Sequence, residues 1–394
     1  MTNQERKKLA CGLSALSVFR GILKTETMTA LLSFLKCDAE GWERMGLYGE
    51  FVASLAEDNY CFSDFLQRVI YEDENPYVVA AAGGKTIPAV LRRNVEEELK
   101  LLSQLTRLDA KTLCNGLDDT EYCPVFDNWE VDLQEGYVQR LRDIGRYGYG
   151  VFASAGMFRV VGEEILPVKT ADRISTDRFV GYEAERQQVF DNTKALVEGR
   201  PAANVLLFGD AGTGKSSTVK ACANHFYDQG VRLIELRKDQ LFSLSHVMGR
   251  IAGNPLKFIL FIDDLSFNKN DDSFSMLKAA LEGSSAAKAS NAVIYATSNR
   301  RHIVKEKFSD RTESDDIHLG DTMQELLSLS DRFGLTVYFS KPNKQLYLEI
   351  VHTLARNKGI ALEESQLNSK AEAFALAKGS RSPRAAEQFV NSLL

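Results

Sequence analysis

The sequence predicts an α/β protein: a five-stranded parallel sheet carrying a phosphate-binding loop, closed by a C-terminal helical lid and preceded by a mostly helical domain and a short β hairpin. Three observations carry that reading. Residues 209–216, GDAGTGKS, fit the pattern G-x-x-x-x-G-K-[ST] between an apolar run at 205–208 and a stretch at 217–226 able to form a helix. From residue 204 onward, short apolar segments alternate with helical ones, as parallel strands joined by crossovers require. Before residue 145, apolar residues instead recur at three- and four-residue spacing.

The chain has 394 residues, enough for two or three domains, and its 44% hydrophobic content is ordinary for a globular protein. A net charge of -6 argues against a chain that coats nucleic acid, so nucleic acid is not a predicted partner. Six cysteines are scattered without a C-x-x-C pair, and all five histidines follow residue 224. The cysteine-bearing N-terminal region therefore has no histidine to complete a zinc site, and the thiols read as those of a reducing cytosol.

In chain order, residues 1–147 read as a helical accessory domain, with periodic segments at 28–35, 47–55 and 95–105. Lys7 and Lys8 precede an apolar run at 9–19 that imitates a secretory signal. However, Leu9, Leu13, Leu16, Phe19 and Leu23 recur at helical spacing, Arg20 interrupts the run, and no small-residue cleavage site follows. A helix through this run is expected, and no segment reaches the ~18 apolar residues that span a bilayer. The predicted location is the cytoplasm, with no membrane partner. Asp118, Asp119 and Glu121, and the run Glu96, Glu97, Glu98, read as solvated faces, and Phe62, Phe65, Tyr71 and Tyr77 as core.

Residues 148–170, with β-branched and aromatic residues around Gly156 and Gly162, read as a β hairpin linker, and the domain boundary is expected at 168–175. A helix from about 182 ends at Gly199. The core, 171–340, then carries strands at 204–208, 231–236, 258–263, 292–297 and 335–339, with helices after the first four. Residues 341–394 form three helices of a lid.

Chemistry gathers at the strand ends. In the loop Gly209, Asp210, Ala211, Gly212, Thr213, Gly214, glycines let backbone N–H groups turn inward around phosphate oxygens, and the following helix offers its positive end. Lys215 reaches the terminal phosphates, and Ser216, followed by Ser217, holds magnesium. The strand FILFIDD places Asp263 to hold magnesium through water and Asp264 to orient or deprotonate an attacking water. Asn299 ends the next strand within reach of a γ-phosphate. Arg332, just before the last strand, is placed to complete a neighbour's site. Arg384, opening the last helix, is placed to reach from the lid, with Arg381 the competing candidate.

This order of motifs resembles that of the AAA+ ATPases. More closely, GYEAERQQVFDNTKALVEGRPAANVLLFGDAGTGKSS, FIDDLSF, YATSNRRH and SLSDRFGL are similar to the bacterial ATPase family DUF815, over roughly residues 145–394. The resemblance implies ATP and Mg2+ as cofactors, residues 209–217 as Walker A, Asp263 and Asp264 as Walker B, and Asn299 as sensor 1. It further implies Arg384 as sensor 2, Arg332 as a finger acting in trans (Arg300 and Arg301 being the alternatives), and Val180, Gly181 and Tyr182 beside adenine. Most AAA+ proteins carry glutamate where Asp264 stands, and the segment RKDQLFSLSH lacks an aromatic-hydrophobic-glycine gripping loop.

The expected activity is hydrolysis of Mg-ATP coupled to movement in a homo-oligomer that remodels or assembles a protein client. The alternatives are an ATP-binding switch or scaffold with little hydrolysis, and a DNA-associated loader. The charged stretch 305–321 reads as a mobile surface loop.

Overall fold

The computed structural model describes residues 1–39, 41–115, 123–168, 180–265, 276–279, 281, 289–299 and 332–394. They form two compact units, Met1–Ser154 and Ala155–Leu394.

The first unit is helical: α1 (Asn3–Ser14), α2 (Glu26–Lys36), α3 (Trp42–Ala53), α4 (Phe62–Glu72), α5 (Pro76–Ala82), α6 (Ala89–Leu105), α7 (Ala110–Cys114), α8 (Leu133–Arg142) and α9 (Ile144–Tyr147). Capping chemistry sets several starts. Thr2 and Glu5 close a reciprocal capping box on α1, Asn75 caps α5 ahead of Pro76, and Asp132 caps α8. The core is aromatic at its centre, where Phe51 meets Phe62 and Phe126 edge-on at 5.1 and 5.5 Å. Phe65 is buried as well, while Tyr71 and Tyr77 are half-buried against this core.

Two expectations fail here for one reason. The helix through residues 9–23 stops at Ser14, and Glu98 does not lie on a free solvated face. The Glu98 carboxylate on α6 accepts the backbone N–H groups of Ser17, Val18 and Phe19 at 2.8 to 3.1 Å, together with the Ser17 hydroxyl at 2.6 Å. A charged acceptor for three consecutive amides outcompetes continuation of α1. Phe19 and Leu16 are thereby turned into the core instead of riding one helix face. Asp118, Asp119 and Glu121 lie outside the described residues.

The second unit holds the sheet: β1 (Met157–Val161), β2 (Glu164–Pro167), β3 (Val205–Gly209), β4 (Val231–Leu236), β5 (Lys257–Ile262), β6 (Ala292–Asn299) and β7 (Leu335–Phe339). Their order is β2-β1-β4-β5-β6-β3-β7, and every pairing except β1 with β2 is parallel. The sheet therefore has seven strands where five were expected. The hairpin is not separate from it, because Met157, Phe158 and Arg159 pair with Leu233, Ile234 and Glu235 and cover the outer edge of β4. Around the sheet lie α10 (Glu183–Val197), α11 (Lys215–His225) and α12 (Leu244–Ile251). The three lid helices are α13 (Lys344–Asn357), α14 (Glu364–Lys378) and α15 (Pro383–Asn391). The stretches expected to be helical after the third and fourth core strands fall largely outside the described residues, as does the stretch 305–321.

Both tryptophans, Trp42 and Trp129, lie in the first unit, so tryptophan fluorescence reports that unit. Glu98→Ala is expected to lower its stability by about 2 kcal/mol or more in a urea titration, since hydrogen bonds to charged groups contribute ~1.5–3 kcal/mol each. Glu98→Gln, which keeps one acceptor, should lose less. A Glu98→Ala midpoint equal to the parent's would show that the cap contributes nothing.

Candidate phosphate-binding site

Strand order brings the site together. β6 lies between β3 and β5, with Gly209 in register with Asn299 and Ile262 with Ala296. The loop after β3 and the two acids after β5 therefore flank one strand end, and ligands of such sheets bind at the carboxyl ends of the strands.

Gly209 takes φ +138°, and a Cβ built on it would lie 2.0 Å from the carbonyl oxygen of Phe339 on β7. Only glycine lets the loop leave the sheet this close to its neighbour. The loop closes at Gly214, φ +92°, directly into α11, and Thr213 Oγ1 donates back to the Asp210 carbonyl at 2.9 Å. Lys215, on the first turn of α11, is 6% exposed. Its Nζ donates to the carbonyls of Gly209 (3.1 Å) and Asp210 (2.7 Å) and to Asn299 Oδ1 (3.0 Å). Burial pulls its pKa below the usual lysine value. The carboxylates of Asp210, Asp264 and Asp263 oppose that shift, and the Arg384 guanidinium adds to it.

Asp263 is fastened from three sides. Its Oδ1 accepts Ser216 Oγ at 2.6 Å, Thr297 Oγ1 at 2.5 Å and the Asp264 N–H at 3.1 Å. Asp264 sits at φ +51°, in the left-handed region, with its Oδ1 accepting Asn299 Nδ2 at 2.9 Å. A hydroxyl and a carboxylate side by side are hard oxygen donors suited to magnesium, which binds through one or two carboxylates plus substrate phosphates. Among the described residues no cluster of three or more His, Cys, Asp or Glu offers a denser metal site.

These groups floor a cleft of about 910 Å³. Ala211, Gly212, Thr213, Gly214, Lys215, Ser216, Ser217, Asp263, Asp264 and Asn299 line it, with Arg384 reaching in from α15. Gly209 and Asp210 instead line a smaller adjoining cleft of about 330 Å³ that shares Asn299. Arg381 is held at 2.9 and 3.1 Å by Glu372 on α14, which leaves Arg384 as the lid arginine of the cleft. Val180, Tyr182, Ile350 and Leu354 also line it and give the cleft its apolar side chains. Gly181, φ +77°, has its Cα turned against Leu346, where a Cβ would meet Cδ1 at 2.6 Å. Arg332 is not brought here. It precedes β7, whose first residue, Leu335, is level with Val205 at the opposite end of β3 from the loop, and it lines neither cleft. Arg300 and Arg301 lie outside the described residues.

Sequence reading missed Thr297, Arg186, Lys358 and Glu387, all of which line the cleft. Thr297 becomes visible only once β5 and β6 are paired in register. Arg186 is one turn into α10, where it donates to the Gly181 carbonyl and to Glu183 Oε1 at 3.1 Å.

A family model described as "Protein of unknown function (DUF815)" matches residues 153–394. The chain belongs to the DUF815 family. No curated protein matches this DUF815 chain. Among solved structures, the RuvB Holliday junction branch migration motor of Thermotoga maritima is similar at 15% identity with a TM-score of 0.36. Two point mutants of that protein give TM-scores of 0.37 and 0.38, again at 15% identity. Each match covers 55% of the DUF815 chain and 63% of the other, so the chain spans less than two thirds of those proteins. No helix among the described residues is long and apolar enough to cross a membrane.

Two glycines separate packing from backbone strain. Gly209→Ala meets a fixed carbonyl and is expected to lower the melting temperature sharply. Gly214→Ala meets nothing within 4 Å and should lose only the ~1–3 kcal/mol of a left-handed residue. Equal losses in a thermal melt followed by circular dichroism would refute the Phe339 contact as the reason for Gly209.

Proposed function

We propose that the chain is an AAA+ ATPase that binds Mg-ATP in the cleft and hydrolyses it in line. The observation carrying this reading is the convergence at one strand end of a buried lysine, a hydroxyl–carboxylate pair and a second carboxylate held by an amide. Backbone N–H groups of the loop and Lys215 bind the phosphates. Ser216 and Asp263 would hold magnesium, which would supply positive charge beside the phosphates. Asp264 orients the attacking water and takes its proton, while Asn299 fixes Asp264 and faces the γ-phosphate. Arg384 adds lid charge as negative charge develops on the transferring group. The apolar wall at Val180, Tyr182, Ile350 and Leu354 receives the base.

Because Arg332 lines neither cleft of its own chain, it serves the cleft of a second copy, and the active species is a homo-oligomer acting on a protein client. The second reading, an ATP-binding switch, is favoured by the short side chain of Asp264 and its bond to Asn299.

Lys215→Ala and Asp264→Asn are each expected to cut phosphate release at least 100-fold, a magnitude typical of losing a charge-stabilising or general-base group. Undiminished turnover in both would remove the ATPase reading, and tight ATP binding without turnover in the parent would establish the switch. For the trans role, Arg332→Ala and Lys215→Ala should each be inactive alone and regain activity when mixed, because mixed assemblies pair an intact loop with an intact arginine. An Arg332→Ala variant that turns over normally would refute it.

A further inference from the structure

Among the described residues, Thr297 is the one bonded to both acids of the site. Its hydroxyl donates to Asp263 Oδ1 at 2.5 Å and accepts the backbone N–H of Asp264 at 2.9 Å. A hydroxyl can do both at once, since it carries one donor and two lone pairs. The residue is 2% exposed, so neither bond is shared with bulk water.

The backbone around it completes the fastening. The Leu265 N–H donates to the Thr297 carbonyl at 2.7 Å, and Ser298 Oγ donates to the Leu265 carbonyl at 2.7 Å. With the Asn299 amide on Asp264, the turn leaving β5 is thus sewn to the end of β6 at five points. Asp264, between them, is held at φ +51°, a conformation that costs a non-glycine residue energy and persists only where its surroundings impose it. Aspartate tolerates that region better than longer side chains do, which gives a backbone reason for aspartate at this position.

We propose that Thr297 is a positioning residue for the hydrolytic step. Resting on the ATPase reading, it sets the direction of the Asp264 carboxylate by fixing its left-handed backbone, and it orients Asp263 by occupying Oδ1 together with Ser216. Removing the hydroxyl frees Asp264 to relax toward ordinary backbone angles. The carboxylate then leaves the amide of Asn299, while the loop, Lys215 and the apolar wall stay as they are. Turnover suffers, and nucleotide affinity does not, because Ser216 still holds Asp263.

The test uses the full chain with Mg-ATP, and compares Thr297→Val, which has nearly the same shape without the hydroxyl, with Thr297→Ser, which keeps it. Steady-state turnover is measured alongside displacement of a fluorescent ATP analogue and the melting temperature. Thr297→Val should lower kcat at least tenfold with KM and displacement within about threefold of the parent. Thr297→Ser should stay within about threefold in all. Parent-like turnover in Thr297→Val, or equal loss in the two variants, overturns the proposal, as does a joint fall of kcat, affinity and melting temperature in Thr297→Val. A parent chain that shows no turnover removes the ATPase reading, and this role with it. Turnover in the parent that survives in Thr297→Val removes the positioning role alone.

Discussion

The site depends on one amide. Asn299 holds the Lys215 ammonium with its oxygen and the Asp264 carboxylate with its nitrogen, so a single planar side chain keeps a cation and an anion at fixed places on either side of β6. Its orientation follows from charge: turned over, it would set N–H groups against an ammonium and an oxygen against a carboxylate. Asn and Gln offer a donor and an acceptor on one uncharged plane that does not titrate. An aspartate at 299 would face Asp264 with like charge, and a lysine would oppose Lys215. The strand order makes the bridge possible. Were β5 beside β3, the acids would stand directly next to the loop, with no third strand between them to carry a polar group.

Much of this was legible beforehand, and what was legible is local. The phosphate loop, the DD strand and Asn299 are each contained in a few consecutive residues, with an apolar run to mark the strand that presents them. The three helices after residue 343 announce themselves by periodicity and by caps such as Asn343 and Ser382. What escaped depends on partners distant in sequence. Thr297 is one of several polar residues in YATSN until register sets it beside Asp263. Glu98 is one glutamate in a run of three until α6 lies against the segment after α1. The hairpin reads as self-contained because nothing in residues 157–167 declares that β4 needs a neighbour. The left-handed backbone of Asp264 has no sequence signature either, since the aspartate it favours is also what the chemistry asks for.

The end of β7 joins the loop after β3 to the lid. The Phe339 carbonyl presses on Gly209 and accepts the Asp210 N–H at 3.2 Å, so the loop begins on this strand. Its neighbour, the Ser340 carbonyl, accepts Tyr182 Oη at 2.6 Å, while the rings of Tyr182 and Phe339 lie 5.4 Å apart. The segment that brings Val180 and Tyr182 to the cleft is therefore pinned to the strand against which the loop after β3 begins. The chain then runs from Ser340 into the lid, which returns through α15 to the loop itself. The Arg384 N–H donates to the Gly212 carbonyl at 3.3 Å, and a Cβ on Gly212 would touch Ser382 and Arg384 at 3.1 to 3.3 Å. Close-packed contacts of this kind shift between discrete arrangements in preference to stretching. A change in the loop at Gly212 acts on α15 through the Arg384 N–H bond to its carbonyl. It moves the lid helix or it breaks the Arg384 bond, and both alter where the Arg384 guanidinium stands in the cleft.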